Sequence, residues 1–257
     1  MTESVQKWLQ RGRPPRVTIT YDANTGGTIE KLELPFIVGV FADLSGDRDP
    51  EAPCVPYAQR QMLPIDRDNF NDVMKAHAPC VLLGNIQRIA AAPAAASTDM
   101  APAFLSGAIT FDSIAALAPL AIVQAIPDLN RLYVLRSELR LQQVRADAGN
   151  APPAEVEKIA EMDAQIADID RWLSAQLSAI MHAPSFQAVE ATWRGLHDFV
   201  SNTETGAMLK INVFNATRDE LLADLQKAKA TDQSQLFRMI YEAEYGTYGG
   251  FPYSLLV

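Results

Sequence analysis

The feature that most constrains this chain is a short break, Asp147 to Pro153 (DAGNAPP), between two long stretches that each alternate helical and extended patterns. Pro152 and Pro153 cannot continue an incoming helix, because proline lacks the backbone N–H and clashes with the preceding turn. The break divides the chain into a mobile N-terminal arm (1–15), a first block (16–146), a joint (147–156) and a second block (157–257). Periods near 2 and near 3.6 succeed each other in both blocks, which predicts an α/β fold with a mixed sheet and packed helices.

In the first block Val17, Ile19 and Tyr21 alternate with polar residues, Asn24 to Gly27 supply turn chemistry, and Ile29, Leu32 and Leu34 resume the apolar pattern. This reads as a hairpin. Phe36 to Phe41 is a continuous apolar run of the kind buried on both faces. The loop Asp43 to Pro56 is rich in Asp, Pro and Gly. A metal or phosphate site is one reading, but the loop lacks a Gly-Lys-Ser/Thr motif and calcium-loop spacing, so a plain surface loop is the expectation. Asp66 or Asp68 caps a short helix through Ala76 that carries Phe70, Val73 and Met74. A strand follows Cys80, Ile89 to Pro102 is an Ala/Pro-rich flexible excursion, and Ala108 to Phe111 is a further strand. Pro119 and Pro127 lie at helix starts, where a missing N–H costs least. The second of these helices runs to about Val144 with Leu129, Leu132, Leu135 and Leu139 on one face.

In the second block Ile159, Met162, Ile166, Ile169, Leu173 and Ile180 follow helical spacing, interrupted at Gln176, where Leu177 supplies the apolar residue instead. That predicts a helix of roughly six turns. After His182-Ala183-Pro184 a second helix carries Phe186, Val189, Trp193, Leu196 and Phe199. Leu209, Ile211 and Val213 alternate with Lys210 and Asn212 as a half-buried strand. Thr217 with Glu220 has capping-box spacing ahead of Leu221, Leu222 and Leu225, and a short helix spans about Ser234 to Tyr245 before the turn Gly246 to Gly250.

Charge and composition exclude several function classes. A net charge of −9 argues against nucleic acid and anionic membranes, both of which reward basic patches. Cys54 and Cys80 show no CxxC pairing, which suits a reducing cytoplasm. The N-terminus lacks the apolar core of a secretory signal, and no run nears the roughly 18 apolar residues of a membrane helix. An enzyme is not expected. His77-Ala78-Pro79-Cys80 offers one His and one Cys where a metal needs three or four ligands, and His182 and His197 have no nucleophile motif beside them. Glu190, Glu242 and Glu244 sit among regularly spaced apolar residues as solvated helix faces, and the glycines at 26–27 and 246–250 lack nucleotide-loop context. No cofactor is expected.

Specific residues carry a family resemblance. Arg16-Val17-Thr18-Ile19-Thr20-Tyr21, Leu32-Glu33-Leu34-Pro35-Phe36 and Ala42-Asp43-Leu44-Ser45-Gly46, with Phe111-Asp112-Ser113-Ile114 and Ile126-Pro127-Asp128-Leu129, resemble the small subunit of the type VI secretion contractile sheath (TssB/VipA) across Pro14 to Val144. Asp168 to Leu177 is similar to I-D-x-x-L-S-x-Q-L, and His182 to Leu196 to H-x-P-x-F-Q-x-L-E-x-x-W-R-G-L. With Asn202-Thr203-Glu204, Lys210-Ile211 and Ile240 to Gly250, they resemble the start of the large sheath subunit (TssC/VipB) across Ala164 to Val257.

The resemblance implies a structural component of a cytoplasmic sheath that contracts to drive an inner tube outward. Its implied partners are other sheath subunits, with the inner tube and baseplate proteins as further contacts. It implies an inter-subunit strand at Val17, Ile19 and Tyr21, a subunit-packing helix face at Leu129, Leu132 and Leu135, and a large-subunit motif at Phe186, Glu190, Trp193, Arg194 and Leu196. Two departures are expected. The large-subunit pattern ends at Val257, before most of that subunit's sheet, and the short helix gripped by the sheath-recycling ATPase does not precede Ile159. An adaptor or cap between sheath and baseplate is the alternative reading.

Overall fold

A computed structural model describes residues 20–25, 28–48, 55–89, 105–147, 153–245 and 250–257. Val17 and Ile19, the arm 1–15, most of the Ala/Pro tract and the turn 246–249 lie outside the described residues. The strands are β1 (Thr20–Thr25), β2 (Thr28–Glu33), β3 (Phe36–Ala42), β4 (Leu63–Ile65), β5 (Cys80–Leu82), β6 (Ala108–Thr110), β7 (Leu209–Asn215) and β8 (Leu255–Leu256). The helices are α1 (Phe70–His77), α2 (Pro119–Ala125), α3 (Pro127–Asp147), α4 (Pro153–Met181), α5 (Pro184–Ser201) and α6 (Arg218–Lys227). One turn at Gln235–Phe237 then leads into a π-helix, Arg238–Tyr245.

The chain forms two compact units, and each draws on both sequence blocks: one comprises Met1–Asp43, Cys54–Val73 and Leu196–Val257, the other Leu44–Pro53 and Met74–Gly195. Mixed sheet with packed helices is thus the observed class.

The first unit is built on a four-stranded sheet of order β4-β7-β3-β8. β3 runs parallel to β7 from Phe36↔Leu209 to Ala42↔Asn215, and parallel to β8 at Val38↔Leu255 and Gly39↔Leu256. β4 closes the other edge, antiparallel to β7. The apolar runs follow from this position, since Ile37, Val38, Ile211, Val213 and Phe214 are all buried. Gly39 at the centre of β3 lets side chains pack close against it: a Cβ there would stand 2.8 Å from Leu256 Cδ2 and 3.1 Å from the Tyr253 ring, so both would have to shift.

β1 and β2 form a separate antiparallel hairpin, with Tyr21 opposite Leu32. Here the sequence expectation is shifted: Asn24 and Thr25 are strand residues, paired with Ile29 and Thr28, not turn residues. Gly26 and Gly27 alone separate the pair Thr25↔Thr28, and a two-residue Gly-Gly connection suffices for a hairpin.

The second unit pairs β5 with β6 and packs them with α2, α3, α4 and the first part of α5. Pro119 and Pro127 do open their helices. So does Pro153, which makes α4 a helix of 29 residues that starts before Ile159, about eight turns long by the 3.6-residue period. α3 and α4 form an antiparallel helical hairpin: the Arg136 guanidinium pairs with the Asp170 carboxylate, and Gln143 donates to Asp163 at 2.6 Å. Leu129 and Leu132 are buried, whereas Leu135 and Leu139 are half-buried.

The interruption at Gln176 also has a different outcome from the one expected. Gln176 is fully buried and Leu177 only half-buried. Its amide is satisfied by backbone, accepting from Ile89 N at 2.9 Å and donating to Gln87 O at 3.3 Å, while Trp172 Nε1 donates to Ile89 O at 3.0 Å. Buried polar groups persist where such partners exist.

Leu132→Asp places an unpaired charge in the packed face of α3, and should cost about 3–5 kcal/mol. Leu135→Asp, at a half-buried position, should cost clearly less. Urea unfolding of both variants checks this, and equal midpoints would show that the face is not packed as described.

Candidate assembly surfaces

Beyond β3 the chain turns through Leu44 to Asp47 into the second unit. Leu44 is completely buried, and its carbonyl accepts from the Trp193 indole Nε1 at 3.1 Å. Cys80 N donates to Ser45 O and Asp47 N to Cys80 O, both at 2.9 Å, and the Asp47 carboxylate accepts from Leu82 N at 3.1 Å. Gly46 adopts φ +65°, and a Cβ there would lie 2.4 Å from Val189 Cγ2 and 2.6 Å from Cys80 O. Residues 44–47 are therefore a packed junction, not the plain surface loop expected from their composition. A polar string reads as solvated in sequence, whereas here its polar groups are matched by the edge of β5.

That junction joins motifs from the two blocks, since Leu44-Ser45-Gly46 meets Trp193. Within the large-subunit motif, Phe186, Trp193 and Leu196 are all buried. Phe186 stands edge to face with Phe111 at 6.0 Å, and Trp193 lies 6.1 Å from the His77 ring. Glu190 and Arg194, one turn apart, pair with each other at 2.7 Å on the outer side of α5. At the end of α5, Val200 takes the buried position expected of Phe199, which is exposed. The 3,4,3,4 spacing from Phe186 through Val189, Trp193 and Leu196 leads to Val200.

The histidines do local structural work. His182 Nδ1 lies 2.8 Å from Ser178 O at the end of α4, and His197 stands edge-on to Phe70 at 5.1 Å. Among the described residues no group of three or more His, Cys, Asp or Glu could hold a metal ion, and no helix is long and apolar enough to cross a membrane.

The first unit holds a polar network that sequence reasoning did not assemble. The Arg60 guanidinium grips both oxygens of Glu220 at 2.8 Å and donates to Asn215 O at 2.8 Å and Val55 O at 2.9 Å. Glu220 accepts from Thr217 N at 3.0 Å and Glu220 N donates to Thr217 Oγ1 at 3.2 Å, which completes the expected capping box. Asp224 accepts from Gln235 N and Leu236 N, each at 3.0 Å, and so caps the next helical turn. The Thr217–Glu220 spacing was legible, but nothing in it pointed to Arg60. Tyr57 packs edge-on to Phe214 at 5.5 Å, and its buried hydroxyl has no hydrogen-bond partner among the described residues. Burial, reinforced by the negative charges of Asp224 and Glu220, pushes its pKa up to about 12.

Of the inter-subunit strand, Val17 and Ile19 lie outside the described residues, and Tyr21 is in β1. Among the described residues β1 is hydrogen-bonded to β2 only. The α6 leucines are not core: Leu222 and Leu225 are exposed, and α6 buries no residue.

Comparison with known proteins gives two overlapping family matches. Residues 9–173 match the type VI secretion system VipA family, and residues 163–257 match the tail sheath N-terminal domain of the VipB/EvpB type. The chain is 48% identical over 101 residues to type VI secretion system sheath protein TssC1 of Pseudomonas aeruginosa, covering 38% of this chain and 20% of that protein. It is 37% identical over 138 residues to sheath protein TssB1 of the same organism, covering 54% of this chain and 73% of that protein. The chain thus spans one fifth of the length of the first relative and about three quarters of the second.

Two outcomes are expected from this geometry. Gly46→Ala should destabilise the protein by about 2 kcal/mol or more, because φ is positive and both near atoms are fixed by packing, whereas Gly84→Ala, with no atom within 4 Å, serves as a mild control. Equal melting temperatures for the two would contradict the junction. For Tyr57, a pKa raised above the usual 10 means that its protonated form is favoured by folding, so this stabilisation is present below pH 10 and disappears between pH 10 and about 12. Tyr57→Phe should flatten the fall in stability across that window; an unchanged slope in urea titrations at stepped pH would rule the assignment out.

Proposed function

We propose a role in building a contractile secretion sheath for this chain, which belongs to the type VI secretion VipA family and runs on into a VipB-type tail sheath N-terminal domain. The observation that carries this reading is the placement of β3. A strand of the VipA-type block is flanked on both edges by strands of the VipB-type block, β7 and β8. One polypeptide thus contains the joint between the two kinds of sheath subunit, which is a structural role. The protein acts in the cytoplasm with other sheath subunits, and contacts with an inner tube or baseplate belong to the same reading.

Two features support assembly beyond one chain. Among the described residues the β1–β2 hairpin is a sheet of its own, suited to adding a strand to, or receiving one from, a neighbour. The segment Val17 to Tyr21 leads into β1 and is the strand proposed to pair between chains. The helix face at Leu129, Leu132 and Leu135 serves a different purpose in this reading: it packs the VipA-type helix α3 on α4, the helix in which the two family matches overlap.

Electron microscopy of the purified chain, alone and with a full-length large subunit, tests the reading. Tubes with helical order are expected; discrete particles under both conditions would favour an adaptor or cap. Ile19→Pro should remove a ladder donor and block assembly in sedimentation while leaving circular dichroism unchanged. Loss of both signals would place the strand in the chain's own core, and unchanged assembly would remove it from the interface.

A further inference from the structure

The two edges of β3 are closed in different ways. β7 pairs with every residue from Phe36 to Ala42 and brings the buried side chains of Ile211, Val213 and Phe214 with it. Residues 250–257 close the other edge more lightly. Ser254 N donates to Ile37 O at 2.8 Å, Val257 N to Gly39 O at 2.9 Å and Phe41 N to Val257 O at 2.8 Å, while Ile37 N reaches the Ser254 hydroxyl oxygen at 3.4 Å. No residue from Gly250 to Val257 is buried, and Leu255, Leu256 and Val257 are exposed.

We propose that residues 250–257 are a releasable strap over the β3 edge, and that Glu244, near the end of the π-helix, is its catch. A segment that buries little apolar surface opens locally at much lower free energy than the core around it. The strap meets that condition and β7 does not. Its hold on the sheet face comes from polar and ring contacts: Lys210 Nζ lies 4.3 Å from the centre of the Phe251 ring, and Asn212 Nδ2 donates to Tyr253 Oη at 3.1 Å. At its start Phe251 N donates to a Glu244 carboxylate oxygen at 2.9 Å. Gly250 lets the chain pass there, because a Cβ would run into the Glu244 backbone carbonyl. A carboxylate that accepts from a backbone N–H makes a charge-assisted bond, stronger than the neutral ones along the strap. Release leaves Ile37 O, Gly39 O and Phe41 N at a hydrated sheet edge, the arrangement that takes up an extended segment. The rest of the unit stays folded meanwhile, since β3 keeps β7 along its whole length. The strap governs one sheet edge and does so whatever the chain assembles with.

Amide hydrogen exchange of the full-length chain, read residue by residue by NMR, tests the strap. The amides of Phe41, Ser254 and Val257 should share one protection level, lower than that of Ile211 and Val213 in β7. Glu244→Ala should lower the protection of the first group about tenfold, the size expected for losing one hydrogen bond to a charged group, and leave the β7 pair unchanged. Glu244→Gln, whose amide oxygen still accepts from Phe251 N, should stay close to wild type. Equal protection of all five amides would overturn the proposal, because the edge would then open only with the whole unit. Unchanged protection in Glu244→Ala would remove Glu244 as the catch, and a loss shared by β7 would make it a support of the whole fold and overturn the strap.

Discussion

β3 needs a hydrogen-bonding partner on each edge, and both partners come from the far end of the chain. An apolar strand buried in the middle of a sheet cannot leave its N–H and C=O groups unpaired without a cost of several kcal/mol in total. β7 satisfies one edge along all of Phe36–Ala42, and the segment around β8 satisfies the other through Ser254 N to Ile37 O and Val257 N to Gly39 O. Gly39 allows Tyr253 and Leu256 to approach that second edge. A parallel pairing of this kind requires a crossover, and the intervening chain supplies it.

The second unit depends on polar groups being matched inside apolar surroundings. Leu44 O, Gln176 and Trp172 each resolve a hydrogen-bonding demand at a buried position, and each partner lies far away in the sequence. Side-chain to backbone bonds of this type fix a single arrangement, because shifting either element leaves a donor or acceptor unsatisfied. Gly46 enforces the same junction sterically, since its neighbours Val189 and Cys80 leave no room for a side chain.

The first unit combines a tightly bonded interior with an apolar surface. Arg60, Glu220 and Asp224 hold its helices and loop by charge-assisted bonds, yet Leu222, Leu225, Tyr241, Tyr245 and Phe251 remain exposed nearby in the chain. Exposed aromatic and aliphatic residues concentrated in one part of a protein mark interaction surfaces more often than they mark poor packing. They are consistent with the assembly role proposed for this chain.

Much of the local structure was legible in sequence, because it rests on short-range physics. Proline at the first helical position, the Thr217–Glu220 box, the apolar run of β3 and the 3,4 spacing of Phe186, Val189, Trp193 and Leu196 all act within one or two turns. The motifs of both sheath subunits were likewise readable as strings of residues. What only the tertiary structure decided were the long-range matches: that Leu44 would be buried under Trp193, that Gln176 and not Leu177 would face inward, that Arg60 would close on Glu220, and that each compact unit would take strands or helices from both blocks. The physical reason is common to all four. Burial of a polar group or pairing of a strand edge depends on which partner arrives from elsewhere in the chain, and no local pattern carries the address of that partner.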